Sequence, residues 1–421
     1  MKRRLAKEVQ SNADTGIHCP PAVQAVFRGK GIAQGRNVVQ PFAKMSLSGR
    51  NTPGDKVLGV NGRFLRSKPT GVERYALCVL RELIPIAMRN GFQLKVFVPQ
   101  HCSVPDWFQS NNIELIASAI MPGAIGRHLW EQFVLPNLAR RAGVTALLNL
   151  TNTAPIAFPG NILVLHDLAW LENPDWVSPL FAAGYRVVVP AAARNAATLV
   201  TVSESSATQI QKHLGLPRSR INVILEGVSI EPRPRSDNDL DVLNLYGLER
   251  PYFLHVGTLQ PRKNIARLAE AHELLCKDNG QAPDLVLAGD KGNHFGKMAG
   301  PTNPGKIKYL GYVPDAHLPI LYAGATAYIT ASLSEGFNLP IVEAMACGVP
   351  VMASDIDTHR EVAADAALYF DPLRISSIRD AMFSISTDKQ LRCELVERGS
   401  RQSRRFSWSQ HAERLIKAII D

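Results

Sequence analysis

The chain has 421 residues, enough for two domains, and its 46% hydrophobic content is typical of a globular protein rather than a disordered one. Its net charge of +10 is concentrated in residues 1–56, where ten Lys/Arg against three Asp/Glu account for +7. Because the remainder carries only +3, aromatic residues make up 7% and no binding motif is present, no nucleic-acid partner is expected.

The cysteines and apolar runs indicate the compartment. Six cysteines are widely scattered, without the spacing of a metal site or a disulfide framework, which fits a reducing cytosol. No run approaches about 18 apolar residues, so no membrane span is predicted. The basic N-terminus also lacks the apolar segment of a secretory signal. We therefore predict a cytoplasmic protein, with peripheral contact at the inner face of the cell membrane left open.

Residues 1–56 show no sustained period and are predicted to be a basic, disordered tail, or an upstream extension with Met45 as the true start. From residue 57 to 232, apolar strands alternate with helical patterns. Predicted strands lie at 57–64, 94–99, 113–118, 146–150, 162–168, 198–203 and 221–227, and predicted helices at 71–89, near 129–141, at 179–193 and before 214. This alternation predicts an N-terminal domain with a parallel, doubly wound sheet.

A proline-rich, charged stretch at 233–249 is predicted to be the linker to a second domain. The alternation restarts in residues 250–404, with predicted strands at 252–257, 284–289, 307–311, 327–332, 350–354 and 367–372, and two helical stretches close the chain. A C-terminal helix at 405–421 either stays on this domain or crosses back to the first. The predicted fold class is α/β, with two Rossmann-like, doubly wound parallel-sheet domains and a ligand cleft between them.

The motif KPTGVERYA at 68–76 opens a helix with a Thr-Gly turn at a strand-to-helix junction. Gly71 has no side chain that would block backbone N–H contacts with a ligand. Arg74, in the first turn of that helix, either faces a bound ligand or is a surface charge.

His166 and Asp167 end the apolar strand ILVLHDL. The carboxyl edge of a parallel sheet is where α/β proteins bind ligands, so both side chains are candidates for substrate contact. The alternative is a packed histidine that is hydrogen-bonded to backbone. Ser203, at the end of the next strand, is predicted to be a helix N-cap.

The segment VGTLQPRKN at 256–264 leaves a strand and places Arg262 and Lys263 near the start of a helix. Positive charge at this position opposes the helix dipole, so a bound anion would explain the pair better than solvent exposure does. Solvent exposure of both side chains is the alternative interpretation.

The most informative segment is SEGFNLPIVEAMACGVPVMAS at 334–354. Gly336 permits close approach of the backbone to a ligand, and Gly348 fits the C-terminal cap of a short helix. Free N–H groups at the helix start favour a diphosphate, whereas Glu335 and Glu343 suit sugar and ribose hydroxyls. The segment therefore indicates a nucleotide-diphosphate sugar, unless both glutamates are solvated charges.

This segment resembles the Glu-x7-Glu signature of the family 4 retaining glycosyltransferases of the GT-B fold, and the resemblance covers roughly residue 57 to the C-terminus. Asn338 stands where glycine is commonest, a mild departure because Asn tolerates positive φ. By this resemblance Glu335 is catalytic and Glu343 contacts the donor. The loop between them also borders the donor through Gly336, Phe337, Asn338 and Leu339.

The resemblance also implies roles for the other motifs. Arg262 and Lys263 would grip the donor diphosphate, while Thr258 replaces the arginine that usually starts this element and would border the donor. Three further positions are implied: His166 beside the transferred sugar, Gly71 beside the donor phosphate, and Val313 with its backbone at the nucleotide base.

The implied function is retaining, metal-independent transfer of a sugar, with mannose or rhamnose favoured, to a glycan or lipid-linked glycan in bacterial surface polysaccharide synthesis. GDP-mannose is the favoured donor, UDP- and dTDP-sugars are alternatives, and no permanently bound cofactor is expected. Replacing Glu335 by Ala is expected to reduce turnover by orders of magnitude and leave the fold intact. The competing interpretations are a non-catalytic homologue that acts as a binding partner, and another sugar-nucleotide enzyme of the same fold.

Overall fold

A computed structural model describes residues 56–65, 71–100, 102, 104–111, 113–119, 123–230, 238–248, 251–290 and 306–421. The predicted N-terminal tail lies outside these ranges, apart from Lys56. Within the same ranges, no helix combines the length and the apolar character needed to cross a bilayer. The described residues form two α/β units, each built on its own parallel sheet.

The first sheet has seven parallel strands in the order β3-β2-β1-β4-β5-β6-β7. Their bounds are β1 Lys56–Asn61, β2 Phe92–Pro99, β3 Glu114–Ser118, β4 Ala146–Asn149, β5 Asn161–Val164, β6 Thr198–Thr201 and β7 Ile221–Val223. The central strands are buried on both faces, as expected where helices cover a parallel sheet on either side. Strand order reverses between β1 and β4, which makes this point of the carboxyl edge a natural ligand position.

The helices of the first unit match the predicted ones with two differences: one predicted helix is divided in two, and the short helix at Ala169–Glu172 was not predicted. They are α1 Gly71–Arg89, α2 Gly123–Leu129, α3 Leu135–Arg141, α4 Ala169–Glu172, α5 Pro179–Asn195 and α6 Glu204–Leu214. The predicted single helix near 129–141 is α2 and α3 joined by a π-helical turn, Trp130–Val134. Pro136 has no N–H to donate to the carbonyl four residues earlier, so the regular ladder is interrupted here.

The second sheet has six parallel strands in the order β10-β9-β8-β11-β12-β13. Their bounds are β8 Tyr252–Val256, β9 Asp284–Ala288, β10 Ile307–Gly311, β11 Ala327–Thr330, β12 Val351–Ser354 and β13 Ala367–Phe370. The order reverses between β8 and β11, so a second ligand position is expected at their carboxyl ends. Two doubly wound parallel sheets confirm the predicted fold class.

The helices of the second unit are α7 Asn238–Leu245, α8 Ile265–Asp278, α9 Leu318–Gly324, α10 Leu339–Ala346, α11 Asp357–Ala363, α12 Ile375–Thr387, α13 Lys389–Ser403 and α14 Trp408–Ile420. Helix α7 occupies part of the predicted linker and packs on α9 through the buried Leu243. Three helices follow β13, and the last of them, α14, lies within the segment 405–421 that was predicted to be a C-terminal helix.

Helix α14 crosses from the second unit to the first and packs along α1. Trp408, Leu415 and Ile416 are buried in this contact, and each contributes about 1.5–3 kcal/mol by its removal from water. His411 Nε2 lies 2.8 Å from the Tyr75 hydroxyl, and its Nδ1 lies 2.9 Å from the Leu225 carbonyl oxygen. The last helix therefore ties the end of the chain to the first sheet.

Candidate functional site

The carboxyl edges of the two sheets meet at the loop that contains Gly336. Ser203, which follows β6, donates to the Gly336 carbonyl over 2.6 Å, and Ser206 donates to the carbonyl of His166 over 2.8 Å. A Cβ built on Gly336 would lie 2.4 Å from the His166 carbonyl oxygen, so a side chain cannot be accommodated there. The sequence predicted close approach of Gly336 to a ligand, whereas the neighbour seen here is the backbone of the first unit.

Glu335 is the centre of a buried cluster of charges between β8 and β11. Its carboxylate forms ion pairs with both Arg262 and Lys263, and only 4% of its side chain is exposed. Burial alone would raise the pKa of Glu335, but the two adjacent cations hold it well below its usual value. Glu335 is therefore a carboxylate, and its cluster with the two cations keeps a net positive charge.

The basic pair is positioned by the segment between β8 and α8. A 3₁₀ turn, Pro261–Lys263, is followed by Asn264 at φ 57°, after which α8 begins at Ile265. The backbone carbonyl of Arg262 accepts from Leu333, so this turn is tied to the loop that bears Glu335. Arg262 and Lys263 thus come to the switch point of the second sheet, and neither is a freely solvated side chain.

The start of α10 has the backbone form predicted for Asn338. This residue adopts φ 78°, and its side-chain amide donates to His359 Nε2 over 2.9 Å. Phe337 and Leu339 are both buried beside it. Asn338 can hold this left-handed conformation because asparagine adopts it at small cost and because the hydrogen bond to His359 fixes its side chain.

Glu343, one turn into α10, is fully buried and pairs across the two units. Nη2 of Arg74, on α1, lies 2.8 Å from Glu343 Oε1, and the Tyr322 hydroxyl donates to Oε2 over 3.1 Å. Arg74 is only 15% exposed, so the surface-charge interpretation of this residue is wrong. Its partner in this structure is the carboxylate that the sequence assigns to the donor ribose.

His166 is held on both ring nitrogens. Nε2 lies 2.9 Å from the Leu150 carbonyl, which can only accept, so this nitrogen carries a proton. Nδ1 lies 3.4 Å from the carboxylate of Glu226, and burial raises the pKa of Glu226. The ring also meets Tyr75 edge-on, with centroids 4.5 Å apart. This arrangement fits the packed-histidine alternative and leaves no ring nitrogen free to act as a base.

Four other predicted positions lie away from this charge cluster or are less constrained. Gly71 begins α1, and among the described residues no heavy atom lies within 4 Å of where its Cβ would be. Thr258 is partly exposed after β8, and Val313 is buried after β10. Asp167 caps the short α4 by accepting from the Ala169 N–H over 3.2 Å.

Sequence reasoning missed Glu226 and Glu361. Glu226 follows β7 in the segment INVILEG, and a carboxylate just beyond the carboxyl end of a strand was the available signal. Glu361, on α11, accepts from the backbone N–H groups of Glu204 (2.8 Å) and Ser205 (3.1 Å). It caps α6 from the opposite unit, together with the predicted N-cap Ser203, which accepts from the Ser206 N–H over 3.0 Å.

We expect Glu361→Ala to lower the stability by about 1 kcal/mol, because two N–H groups at the start of α6 lose a charged acceptor. The apparent melting temperature, measured by differential scanning fluorimetry, should fall by roughly 2–4 °C. Glu397→Ala, at an exposed site on α13, serves as the matched control. Equal melting temperatures for the two variants would contradict the interdomain cap.

Stability is expected to fall as the pH drops from about 7 to 5. Burial lowers the pKa of His255, His359 and His411 to about 4, below the unfolded value of about 6.5. Since the folded state favours the neutral rings, their contribution is complete above pH 6.5 and is lost as the pH falls towards 4. At pH 5 each costs on the order of 2 kcal/mol, which Glu226, with its raised pKa, offsets in part.

Denaturant unfolding at pH 7 and pH 5 measures this effect. An unfolding midpoint that is independent of pH over this range would show that the three buried rings do not resist protonation.

Comparison with known proteins finds a family whose model matches part of this chain. Residues 244–402 match the family described as "Glycosyl transferases group 1". Over 230 residues, 53% of this chain and 60% of the relative, the chain is 37% identical to O-antigen chain mannosyltransferase B of Escherichia coli. It is 27% identical to the serotype-specific mannosyltransferase WbdA of the same organism, over 83% of this chain and 44% of that protein. The chain thus spans about half the length of these relatives.

Solved structures share the architecture across almost their whole length. WaaG, a glycosyltransferase involved in lipopolysaccharide biosynthesis, has a TM-score of 0.66 and 16% identity, covering 86% of this chain and 99% of its own. HepE of Anabaena, solved with UDP and glucose, has a TM-score of 0.66 and 18% identity, covering 87% of this chain and 99% of its own. At such identities the likeness concerns the fold, and it confirms the predicted GT-B arrangement. Residues 244–402 thus match the glycosyl transferases group 1, and the two-sheet fold of the described residues is that of solved GT-B glycosyltransferases.

Proposed function

We propose that the protein transfers a sugar, with retention of configuration and without a metal ion, from a nucleotide-diphosphate sugar to a glycan acceptor. The observation that carries this proposal is the buried Glu335–Arg262–Lys263 cluster at the switch point of the second sheet. It brings two cations and a helix start, α10, to one place, and these groups together suit a diphosphate. A structural cluster alone would not require the left-handed Asn338 that opens α10 beside it.

The proposed mechanism stabilises charge on the leaving diphosphate. Lys263 and Arg262 neutralise that charge, and the N–H groups at the start of α10 add hydrogen bonds. Glu335 orients the two cations and accepts from a hydroxyl of the sugar. The acceptor oxygen attacks the anomeric carbon from the face that the diphosphate leaves, and a phosphate oxygen takes the acceptor proton. No side-chain base is needed, which agrees with a His166 whose two ring nitrogens both have partners.

Mannose is the favoured sugar and GDP-mannose the favoured donor, because the curated relatives in the comparison include O-antigen mannosyltransferases. The HepE structures contain UDP and UDP-glucose, so UDP-sugars stay in the test, as do dTDP-sugars. The acceptor is then a glycan or lipid-linked glycan of a bacterial surface polysaccharide. Peripheral contact with the inner membrane face through the basic N-terminal tail is a further part of this proposal.

Ligand-detected NMR with GDP-mannose, UDP-glucose, a dTDP-sugar and an ADP-sugar tests the donor. We expect one of them to bind, and we expect Lys263→Ala to lose that binding because the diphosphate loses a buried cation. Arg141→Ala, an exposed position on α3, is the charge-matched control. Binding of none of the four would favour the alternative, a non-catalytic homologue, for which the Arg74–Glu343 pair across the ribose position gives specific support.

A further inference from the structure

A second cluster of polar side chains lies at the switch point of the first sheet, and the proposed mechanism does not use it. Arg63 follows β1, Thr153 follows β4, and His128 and Glu131 come from α2 and the π turn. These four residues, together with Asn61 at the end of β1, are called the β1–β4 cluster below. Strand order reverses at this point, where doubly wound sheets bind ligands.

The buried carboxylate of Glu131 binds the other members of the β1–β4 cluster. Its side chain is 0% exposed and accepts from Asn61 Nδ2 over 2.7 Å and from Thr153 Oγ1 over 2.8 Å. Its Oε1 also lies 3.3 Å from Arg63 Nε. Such a buried carboxylate is stable only because three groups satisfy it. It therefore fixes the direction of the Arg63 guanidinium.

Arg63, Thr153 and His128 form a set of hydrogen-bonding groups whose charge is balanced by Glu131. Arg63 donates to Thr153 Oγ1 over 2.7 Å, and its Nη1 lies 2.8 Å from His128 Nδ1 and 3.3 Å from His128 Nε2. The charge of Arg63 is balanced by Glu131, and burial together with Arg63 lowers the pKa of His128 to about 4. His128 is still 31% exposed at its side chain, so a ligand can reach it.

Aromatic rings on α4 and α5 form a wall beside these groups. The ring of Tyr185 meets His128 edge-on at 5.7 Å and Trp170 edge-on at 5.5 Å, and it stacks on Phe181 at 3.9 Å. Trp170 is only 5% exposed, and its Nε1 has no hydrogen-bond partner among the described residues. A neutral polar surface beside aromatic faces is the chemistry that recognises an uncharged sugar ring.

The β1–β4 cluster lies on the side of the cleft where the reaction is proposed to occur. β4 separates β1 from β5, so the end of β1 is about 10 Å from the end of β5, which Asp167 follows. The Asp167 carboxylate acts electrostatically both on Tyr185 and on Arg262 and Lys263. The aromatic wall beside the cluster and the donor cations thus share one charged neighbour, Asp167.

We propose that Arg63, His128 and Tyr185 form the subsite for an uncharged sugar residue of the acceptor, with Glu131 as the positioning residue for Arg63. This rests on the proposed function, since the sugar bound here would supply the attacking hydroxyl. A phosphate is disfavoured because the charge of Arg63 is already balanced by Glu131. A purely apolar ligand is disfavoured because it would leave Arg63 and His128 without new partners.

Saturation-transfer NMR with methyl glycosides of mannose, rhamnose, glucose and galactose tests the subsite. At least one glycoside should bind, and Arg63→Met and Tyr185→Ala should each weaken that binding about 10- to 100-fold. Arg141→Met, at an exposed position, should bind like the wild type. Binding of no glycoside, binding unchanged in both variants, or binding of inorganic phosphate in competition with the glycoside would overturn the proposal.

Two further measurements separate this proposal from its alternatives. Nucleotide-sugar binding should be unchanged in Arg63→Met, which would also show that the variant is folded. If the wild-type protein itself bound no nucleotide sugar, the proposed function would be rejected instead. Glu131→Gln should weaken glycoside binding, yet the double variant with Arg63→Met should be no weaker than Arg63→Met alone. Additive losses would show that Glu131 acts on general stability and does not position Arg63.

Discussion

Glu335→Gln is expected to reduce kcat/KM for sugar transfer by about 10²- to 10³-fold, the usual effect of removing one group from a preorganised charge site. Glutamine has the same shape, but it cannot neutralise Arg262 and Lys263 or hold both of them in place. The substitution should act chiefly on kcat, since the cations remain available to the diphosphate. Steady-state transfer with the donor found by NMR measures it.

The structure changes which variant of Glu335 is informative. Sequence reasoning expected Glu335→Ala to leave the fold intact, but alanine would leave the buried Lys263 and the partly buried Arg262 without their carboxylate, at a cost on the order of 3–5 kcal/mol. Glutamine retains hydrogen bonds and is the milder change. Glu397→Gln, at an exposed position, is the matched control. Wild-type kcat/KM in a folded Glu335→Gln protein would reject a catalytic role for this residue.

Arg74→Met is expected to destabilise the protein by about 3 kcal/mol or more, because it leaves the carboxylate of Glu343 buried without a cation. The double variant Arg74→Met/Glu343→Gln should recover much of that loss, since no unpaired charge is left. The difference is a coupling energy between the two units, expected to exceed about 1 kcal/mol. Equilibrium denaturation of the wild type, both single variants and the double variant measures it.

The coupling energy between Arg74 and Glu343 reports on contact between the two units in solution. Arg74 is on α1 and Glu343 on α10, so their coupling exists only while the cleft is closed at this point. Arg81→Met, at an exposed position on α1, controls for the loss of a positive charge from that helix. Single-variant losses that simply add in the double variant would mean that the ion pair contributes nothing to stability.

Local pattern determined the elements and the donor-side motif. Short apolar strands alternate with amphipathic helices along the chain, and this alternation is typical of a parallel sheet covered by helices. Both sheets could therefore be predicted from the sequence. The conformations of Asn338 and Gly348, at φ 78° and 67°, also follow, because few residues adopt positive φ. Glu335, Arg262 and Lys263 were selected by motif, and each motif lies beside a strand end.

Only the tertiary structure decided which of these residues are neighbours. That Arg74 pairs with Glu343, that Glu361 caps a helix of the other unit, and that the last helix packs on the first unit all depend on contacts between segments distant in sequence. Periodicity states which face of an element is buried, but not which element covers it. The same reason applies to Glu131. A carboxylate in a predicted helix is expected to be solvated, but the π turn that contains Glu131, which Pro136 favours, places this side chain in the core.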